Sequence, residues 1–473
     1  MRMRILLTVL FLSFFLENTL VANANEQSMM LNINENASSF KNVSTLQKTV
    51  TYEDNSFFFV REVDFKTTNL YTTSFKVKGT KGTYSYFDKN KKMITKPLTN
   101  GTLPMTDMIV IDTDQYHMFL GQPYMYKSLG QGVIQATNSP ATMKISKQSD
   151  AWVVTYSFKP QKTIENGLLY GVGSSKLLID VKNPSTINVW KNYDFTQKAK
   201  LGIDGYYYEC PPTYTPCAKG AYWNSPSMYL INAMVKNGGS PLSDILATSY
   251  LSIAENNINQ EGFIPSQPES KWLKETYDIG SGFFDTRFNA DMIEIYMLAY
   301  QKFGIESYQI AYLELANYYL KHGENNHVEM YLSSENADSE ENLPGWLIED
   351  YGKGDSLINT HTALNHQLQA IHVFLNLYQL EGEDLYLDYA YKMIRGIEYT
   401  QNQWIMPDRN LEYAYMPDGQ MGYVDYEYLT YNDFYKVQKD LVGITGTRNV
   451  IFDILMDSKR EWMNANNISN YNQ

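Results

Sequence analysis

Apolar positions along this chain follow two different rules, and the change falls near residue 200. From about Thr49 to Trp190 they form short runs rich in β-branched and aromatic residues. Examples are Ser56-Phe57-Phe58-Phe59-Val60, Met108-Ile109-Val110-Ile111 and Trp152-Val153-Val154-Thr155-Tyr156-Ser157-Phe158. Turn formers at Lys81-Gly82, Asn100-Gly101 and Asn166-Gly167 punctuate this region, which predicts antiparallel strands joined by hairpins. Farther on, Met292, Tyr296, Ala299 and Phe303 recur at helical spacing, as do Leu364, Leu368, Ile371, Leu375 and Tyr378. These helices are predicted in pairs, turning near Gly238-Gly239, at Gly304, at Leu380–Glu383 and near Gly443–Thr447. The fold class is therefore α+β: an N-terminal antiparallel β domain over 46–200, then an α/α toroid of helical hairpins over 201–473.

Between the pairs the connections are long, roughly Asn256–Phe284, Gly323–Leu357 and Gln401–Leu429. Connections of this length are uncommon unless they carry function. In a ring of antiparallel helices they all emerge at one end, so a site is expected on that rim.

The N-terminus adds an address. Arg2 and Arg4 precede an apolar run from Ile5 to Phe15, and Ala22-Asn23-Ala24 has the small-x-small form of a cleavage site. Residues 1–24 are thus expected to be a secretory signal, which makes the chain secreted or part of the cell envelope. Without cleavage they would remain as an N-terminal anchor. No later apolar stretch matches this one, so stable membrane insertion after cleavage is not expected. Asn- and Ser-rich residues 25–45 read as a flexible lead-in. In Cys210-Pro211-Pro212-Thr213-Tyr214-Thr215-Pro216-Cys217 the two cysteines suit a local disulfide in an oxidising compartment, or two unlinked thiols.

Charge divides the chain at the same place as the pattern. Residues 25–200 hold 21 Lys and Arg against 14 Asp and Glu, a balance of +7; residues 201–473 hold 16 against 37, a balance of −21. An acidic back half argues against nucleic acid as its ligand. A basic front half is suited to drawing an anionic polymer toward a shared cleft.

Three clusters near the long connections carry chemistry. The first is Gly282-Phe283-Phe284-Asp285-Thr286-Arg287-Phe288-Asn289, and the second pairs Gly345-Trp346-Leu347-Ile348-Glu349-Asp350-Tyr351 with Thr360-His361-Thr362-Ala363-Leu364-Asn365-His366. The third holds Tyr413, Tyr415, Tyr423, Tyr426, Tyr428, Tyr431 and Tyr435. Aromatic rings beside carboxylates suit sugars, whose C–H faces stack on rings while hydroxyls pair with polar groups. Arg287 suits a two-point grip on a substrate carboxylate, or a salt bridge with Asp285 or Asp291. His361 and His366 complete no metal set; a helix-start hydrogen bond and a core position are their simpler roles. No cofactor or metal is expected.

At these residues the chain resembles the C-terminal domain of D-glucuronyl C5-epimerases, which invert uronic acids within polysaccharides. Gly345–Tyr351 is similar to the family's Gly/Asp-Trp-Tyr-Glu-Glu-Tyr segment, followed by a helix ending Leu377-Tyr378-Gln379-Leu380. Tyr413 and Tyr431 match two late tyrosines, Tyr431 to Gln438 keeps a tyrosine-to-glutamine spacing, and Leu169-Tyr170-Gly171-Val172-Gly173 is a weaker echo. The resemblance covers about 230–445 and implies a toroid whose cleft works with a glutamate and tyrosines. Here Glu349 or Asp350 takes the glutamate's place, with Tyr351, Tyr413 and Tyr431 as the tyrosines. One residue inserted before Tyr351 leaves open which carboxylate is equivalent.

The expected function is C5 epimerisation of uronic acid residues in an anionic polysaccharide by proton removal and return. Substrate contacts are expected from Phe284, Asp285, Arg287, Asn289, Trp346, His361, Asn365 and Tyr415. A lyase or glycoside hydrolase on the same toroid, or a glycan-binding protein without turnover, are the alternatives. Whether the chain pairs with a second copy is left open.

Overall fold

A computed structural model describes residues 29–106, 108–193, 199–209, 220–332, 343–353, 358–469 and 471–472. The predicted signal, Cys210 and Cys217 lie outside them.

Among the described residues the N-terminal half is antiparallel β, in two sheets. The hub of the larger sheet is the strand Glu165–Ser174. One of its edges pairs with Phe57–Phe65, and the other is shared by Tyr124–Gly130 and His117–Gly121. The smaller sheet orders Tyr71–Lys78, Ala151–Phe158, Ala141–Gln148 and Gly101–Thr102. Side chains alternate faces along a strand, and both faces of the larger sheet are covered. Phe59, Ile109, Ile111 and Leu169 enter a core shared with Trp152, Val154 and Tyr156 of the smaller sheet. Phe58, Val60, Val110 and Tyr170 enter a second core continuous with the helices. This explains runs such as Met108-Ile109-Val110-Ile111, in which no position is spared for solvent.

Ten helices follow or interrupt the strands among the described residues: α1 (Pro184–Trp190), α2 (Tyr229–Asn237), α3 (Pro241–Ala254), α4 (Lys271–Tyr277), α5 (Thr286–Phe303), α6 (Glu306–Asn325), α7 (Leu364–Glu381), α8 (Asp384–Thr400), α9 (Leu429–Thr445) and α10 (Val450–Ala465). α2/α3, α5/α6, α7/α8 and α9/α10 pack as hairpins, and α2, α5, α7 and α9 touch one another in that order. The arrangement is an arc of hairpins. Gly304, Gly382 and Gly446 close three of the turns with left-handed backbone, the conformation glycine adopts without a Cβ clash.

The arc is not separate from the sheets. Tyr250 of α3 packs edge-on against Phe58 at 5.0 Å. The Tyr52 hydroxyl donates to the Ile245 carbonyl at 3.0 Å and lies 2.7 Å from the hydroxyls of both Thr248 and Ser249. One core therefore runs from sheet to helices, and the arc is backed by the sheet.

Two boundaries differ from those expected. Leu31–Phe40, placed in a flexible lead-in, forms a full strand: all ten of its residues pair with Val43–Tyr52, so the ladder orders a segment whose side chains are almost all exposed. The sheet also continues past residue 200 through Ala199–Leu201, Tyr207–Glu209 and Ala221–Ser225. The arc begins only at α2.

The strand Gly345–Ile348 lies against α8 so closely that backbones touch. A Cβ on Gly396 would sit 2.3 Å from the Trp346 carbonyl oxygen, and one on Gly345 would sit 2.6 Å from Arg395 backbone. We therefore expect Gly396→Ala to lower stability by about 1–3 kcal/mol, since backbone cannot step aside as a side chain can. Thermal unfolding reads this directly, and an unchanged midpoint would contradict the close approach.

Candidate functional site

The three long connections meet because short ladders tie them together. Phe284-Asp285 pairs with Tyr351-Gly352, and Thr362-Ala363 pairs with Tyr415 and Ala414 of the hairpin Glu412–Tyr415/Met421–Val424. Asp350 is the knot. Its amide donates to the His361 carbonyl at 2.9 Å, its carbonyl accepts from the Thr286 amide at 3.0 Å, and its Oδ1 accepts from the Ala363 amide at 2.9 Å. One residue thereby fixes the starts of α5 and α7. Its Oδ2 lies 3.2 Å from His361 Nε2 and 3.4 Å from His366 Nδ1.

Above this knot is a cavity of about 310 Å³, large enough for a sugar-sized ligand. Its walls hold aromatic rings from Tyr229, Trp272, Phe288, Tyr351, Tyr413 and Tyr426, with Asp285, Glu209, Arg287, Asn365, His366 and Ser270 between them. α2, α5, α7 and α9 each present their first turn here, through Tyr229, Arg287, Asn365 and Leu429. Helix N-termini carry partial positive charge, so the cavity's field favours an anionic group.

Two wall carboxyls are displaced toward neutrality. Burial pushes Asp285 up to about 8, with Asp350 and Asp291 adding to the rise against the hydrogen bond from the Phe288 amide. Burial likewise raises Glu209, on the sheet side, to about 7. Near neutral pH Asp285 is largely a protonated acid and Glu209 is poised to accept a proton. Tyr413 is held well above the ordinary phenol value by burial and the nearby Asp350, so it stays a donor. Burial lowers His366 to about 4 and keeps it neutral; its Nδ1 lies 2.9 Å from the Thr286 hydroxyl.

Of the residues singled out from sequence, Asp285, Arg287, Tyr351, Asn365 and Tyr413 line this cavity. His361 sits directly behind it, ringed by Trp272, Tyr277, Tyr351 and Tyr413, with Nδ1 2.8 Å from the Tyr277 hydroxyl. The others serve elsewhere. Phe284 is sealed among Phe263, Tyr318, Tyr319 and His322. Asn289 clamps the loop below through three hydrogen bonds to the backbone of Ile264 and Asp285. Trp346 stacks on His327 at 4.0 Å beneath the Lys392 ammonium, and Tyr415 packs into the main core. Tyr431 is buried against Tyr471. Gln438, spaced from Tyr431 as in the epimerases, bonds both backbone groups of Asn449 and so ties α9 to α10.

Neither member of the Glu349-Asp350 pair reaches the cavity wall. Asp350 is wholly buried in the knot, while Glu349 lies by Thr360, and burial raises it to about 7. The wall carboxyls are Asp285, assigned to substrate contact, and Glu209, which no motif marked. Trp272, Tyr229 and Ser270 were also missed. Glu209 follows an ordinary strand pattern, and only its place at the sheet edge brings it here.

Arg287 is already engaged. Its Nη1 donates to Asp433 Oδ2 at 2.6 Å and to the Asn365 carbonyl at 2.9 Å, and its Nε lies 3.3 Å from Asp291. The salt bridge to Asp291 is present, and the larger partner is Asp433 of α9. From there a polar chain runs into the arc: Lys436 reaches Asp433 and Gln369, each at 3.3 Å, and Gln369 reaches Glu294 at 2.8 Å. Glu294 also meets Lys236 at 2.5 Å and His372 at 3.7 Å, and His372 pairs with Asp440 at 2.5 Å.

Among the described residues no helix is long and apolar enough to cross a membrane, and no cluster of three His, Cys, Asp or Glu is placed to hold a metal ion. Neither a family model nor a curated protein matches the sequence. Among solved structures the chain is similar to a D-mannose isomerase at 16% identity, over 50% of this chain and 60% of that one, with a TM-score of 0.36. It is similar to a family GH76 α-mannanase of Bacteroides thetaiotaomicron at 16% identity, over 50% and 58%, with a TM-score of 0.34. A cellobiose 2-epimerase from Bacillus thermoamylovorans is similar at 10% identity, over 41% and 45%, with a TM-score of 0.28. The match spans less than two thirds of each of these chains.

His372 offers a test of the polar chain. Burial opposes its charge, yet Asp440 and Glu294 raise it to about 9, above the ordinary 6.5. A raised imidazole contributes stability in full below about 6.5 and loses it as pH climbs through 9. The shift corresponds to roughly 3 kcal/mol. Unfolding midpoints should fall between pH 6.5 and 9, and His372→Gln should flatten that fall. An equal slope in the variant would contradict a charged His372.

Proposed function

We propose that this cavity processes a uronic acid residue of an anionic polysaccharide by proton transfer at C5. The observation that carries this reading is the place of Asp285, a carboxyl set in an aromatic wall where helix N-termini converge, where burial pushes it up to about 8. A neutral carboxyl donates a hydrogen bond to a substrate carboxylate instead of repelling it.

Removing the C5 proton pushes charge onto the adjoining carboxylate. Asp285, the helix N-termini and the edge of Arg287 would hold that charge in place. Glu209, raised to about 7, is suited to take the proton on the sheet side. A phenol of Tyr351 or Tyr413 would then return a proton to the opposite face, inverting the carbon. The aromatic walls would seat the sugar ring. No step in this sequence calls for a cofactor or metal, and the acidic surface of the helical half gives nucleic acid no role. Export of the chain would place it where such polymers lie.

Glycoside hydrolysis is the second reading. It is favoured by the same two carboxyls, with Asp285 as acid and Glu209 as base. Incubation with uronate polymers in heavy water separates the two. Deuterium at C5 without chain cleavage is the expected result, whereas new reducing ends would replace epimerisation with hydrolysis. No change in any uronate polymer would overturn both.

Activity should rise as Glu209 ionises through about 7 and fall as Asp285 ionises through about 8. Asp285→Asn should lower turnover by about 10²–10⁴-fold. A pH profile whose upper limb survives that substitution would remove Asp285 from its role.

A further inference from the structure

The molecule has a second and larger cavity, of about 780 Å³, in the β half. Its chemistry is opposite to that of the first. The described residues of its wall include Lys89, Lys91 and Lys200, with the carboxylate of Asp88 beside them. Asp88 is committed locally: its Oδ1 accepts the amides of Asn90 at 2.8 Å and Lys92 at 2.9 Å. Those bonds shape the tight turn between strands Gly82–Phe87 and Met93–Pro97, and the turn holds up Lys89 and Lys91 as exposed cations. Lys91 sits at a φ of +57°, so the turn is built at some backbone cost.

Lys200 forms the other wall and is buried, its ammonium 5.1 Å from the Tyr124 ring and 5.6 Å from the Tyr222 ring. Aromatic faces are a favourable seat for a cation taken out of water. Asn138 adds a neutral amide. A basic, partly aromatic hollow of this size suits an anionic chain of several sugar units better than a compact ion.

The position is informative too. Ala199 is paired with Glu209, and Lys200 with Tyr208, across the strands that end the larger sheet. Directly opposed residues share a face and neighbours alternate. Lys200 and Glu209 therefore project from opposite faces of one sheet edge, a strand's width apart. The basic cavity and the acid–base cavity are two sides of the same rim.

We propose that the basic cavity is a binding site for an anionic oligosaccharide, a distal subsite for the polymer whose other units pass over the sheet edge into the acid–base cavity. The choice of a uronate-type ligand rests on the proposed function; the cavity's preference for anions does not. Binding is electrostatic, so it weakens with salt.

The test is calorimetric titration with a sulfated, uronate-containing hexasaccharide and with a neutral dextran hexasaccharide, at low and at high salt. Wild type is expected to bind the anionic probe more tightly than the neutral one, and less so at high salt. Lys89→Ala/Lys91→Ala should weaken the anionic probe by roughly three- to tenfold. Both lysines are exposed at a turn, so the fold should withstand their loss. Equal affinity in the double variant, or equal affinity for the neutral probe, would overturn the proposal. Because this readout needs no turnover, an absence of product in heavy water would sink the catalytic reading and leave the site standing.

Discussion

The site depends on one buried residue. Asp350 uses its amide, its carbonyl and one carboxylate oxygen to hold His361, Thr286 and Ala363, and those three bonds fix the starts of α5 and α7 against each other. Burying a carboxylate is costly unless it is hydrogen-bonded. Asp350 meets that condition at Oδ1, which accepts from the Ala363 amide, while Oδ2 faces His361 and His366; both wall residues Asp285 and Asn365 are placed as a result. The residue that the epimerase resemblance brought forward thus shapes the cavity without lining it.

Charge is managed inward from there. Arg287 at the wall is balanced by Asp433 and Asp291, Asp433 by Lys436, and the chain continues through Gln369 and Glu294 to the His372–Asp440 pair. The first helices of the hairpins enclose these groups where an apolar seam would be the usual filling. Buried ion pairs add little net stability but are strongly destabilising when broken. Such a chain sets the spacing of α5, α7 and α9 and keeps the guanidinium still. Arg287 is paired with Asp433 and Asp291 and burial raises the Asp285 carboxyl, so the helix N-termini add positive partial charge to a wall whose own charges are largely compensated.

The β half contributes more than support. Its larger sheet backs the arc through the core around Tyr250, delivers Glu209 to the cavity that Asp285 lines and turns Lys200 to the other side of the same edge. The contrast of a basic front and an acidic back, visible as +7 and −21, becomes local at this edge. Lysines line the cavity on one face of this edge, and carboxyls line the cavity on the other.

The paired helices and the strand runs were legible because each is a local property: glycine stops at Gly304 and Gly382, apolar spacing along α5 and α7, doubled apolar runs where both faces of a sheet are covered. The strand at Leu31–Phe40 was hidden because its pairing partner, not its composition, orders it. Within the motifs, the sequence located the right loops and could not tell which side chains face the hollow. Phe284 and Asp285 are adjacent, and one is core while the other is wall, because strand neighbours point in opposite directions. Glu209 and Trp272 lay beyond reach for a different reason. Their roles come from contacts between segments far apart in the chain, and only the folded chain decides which distant surfaces share a cavity.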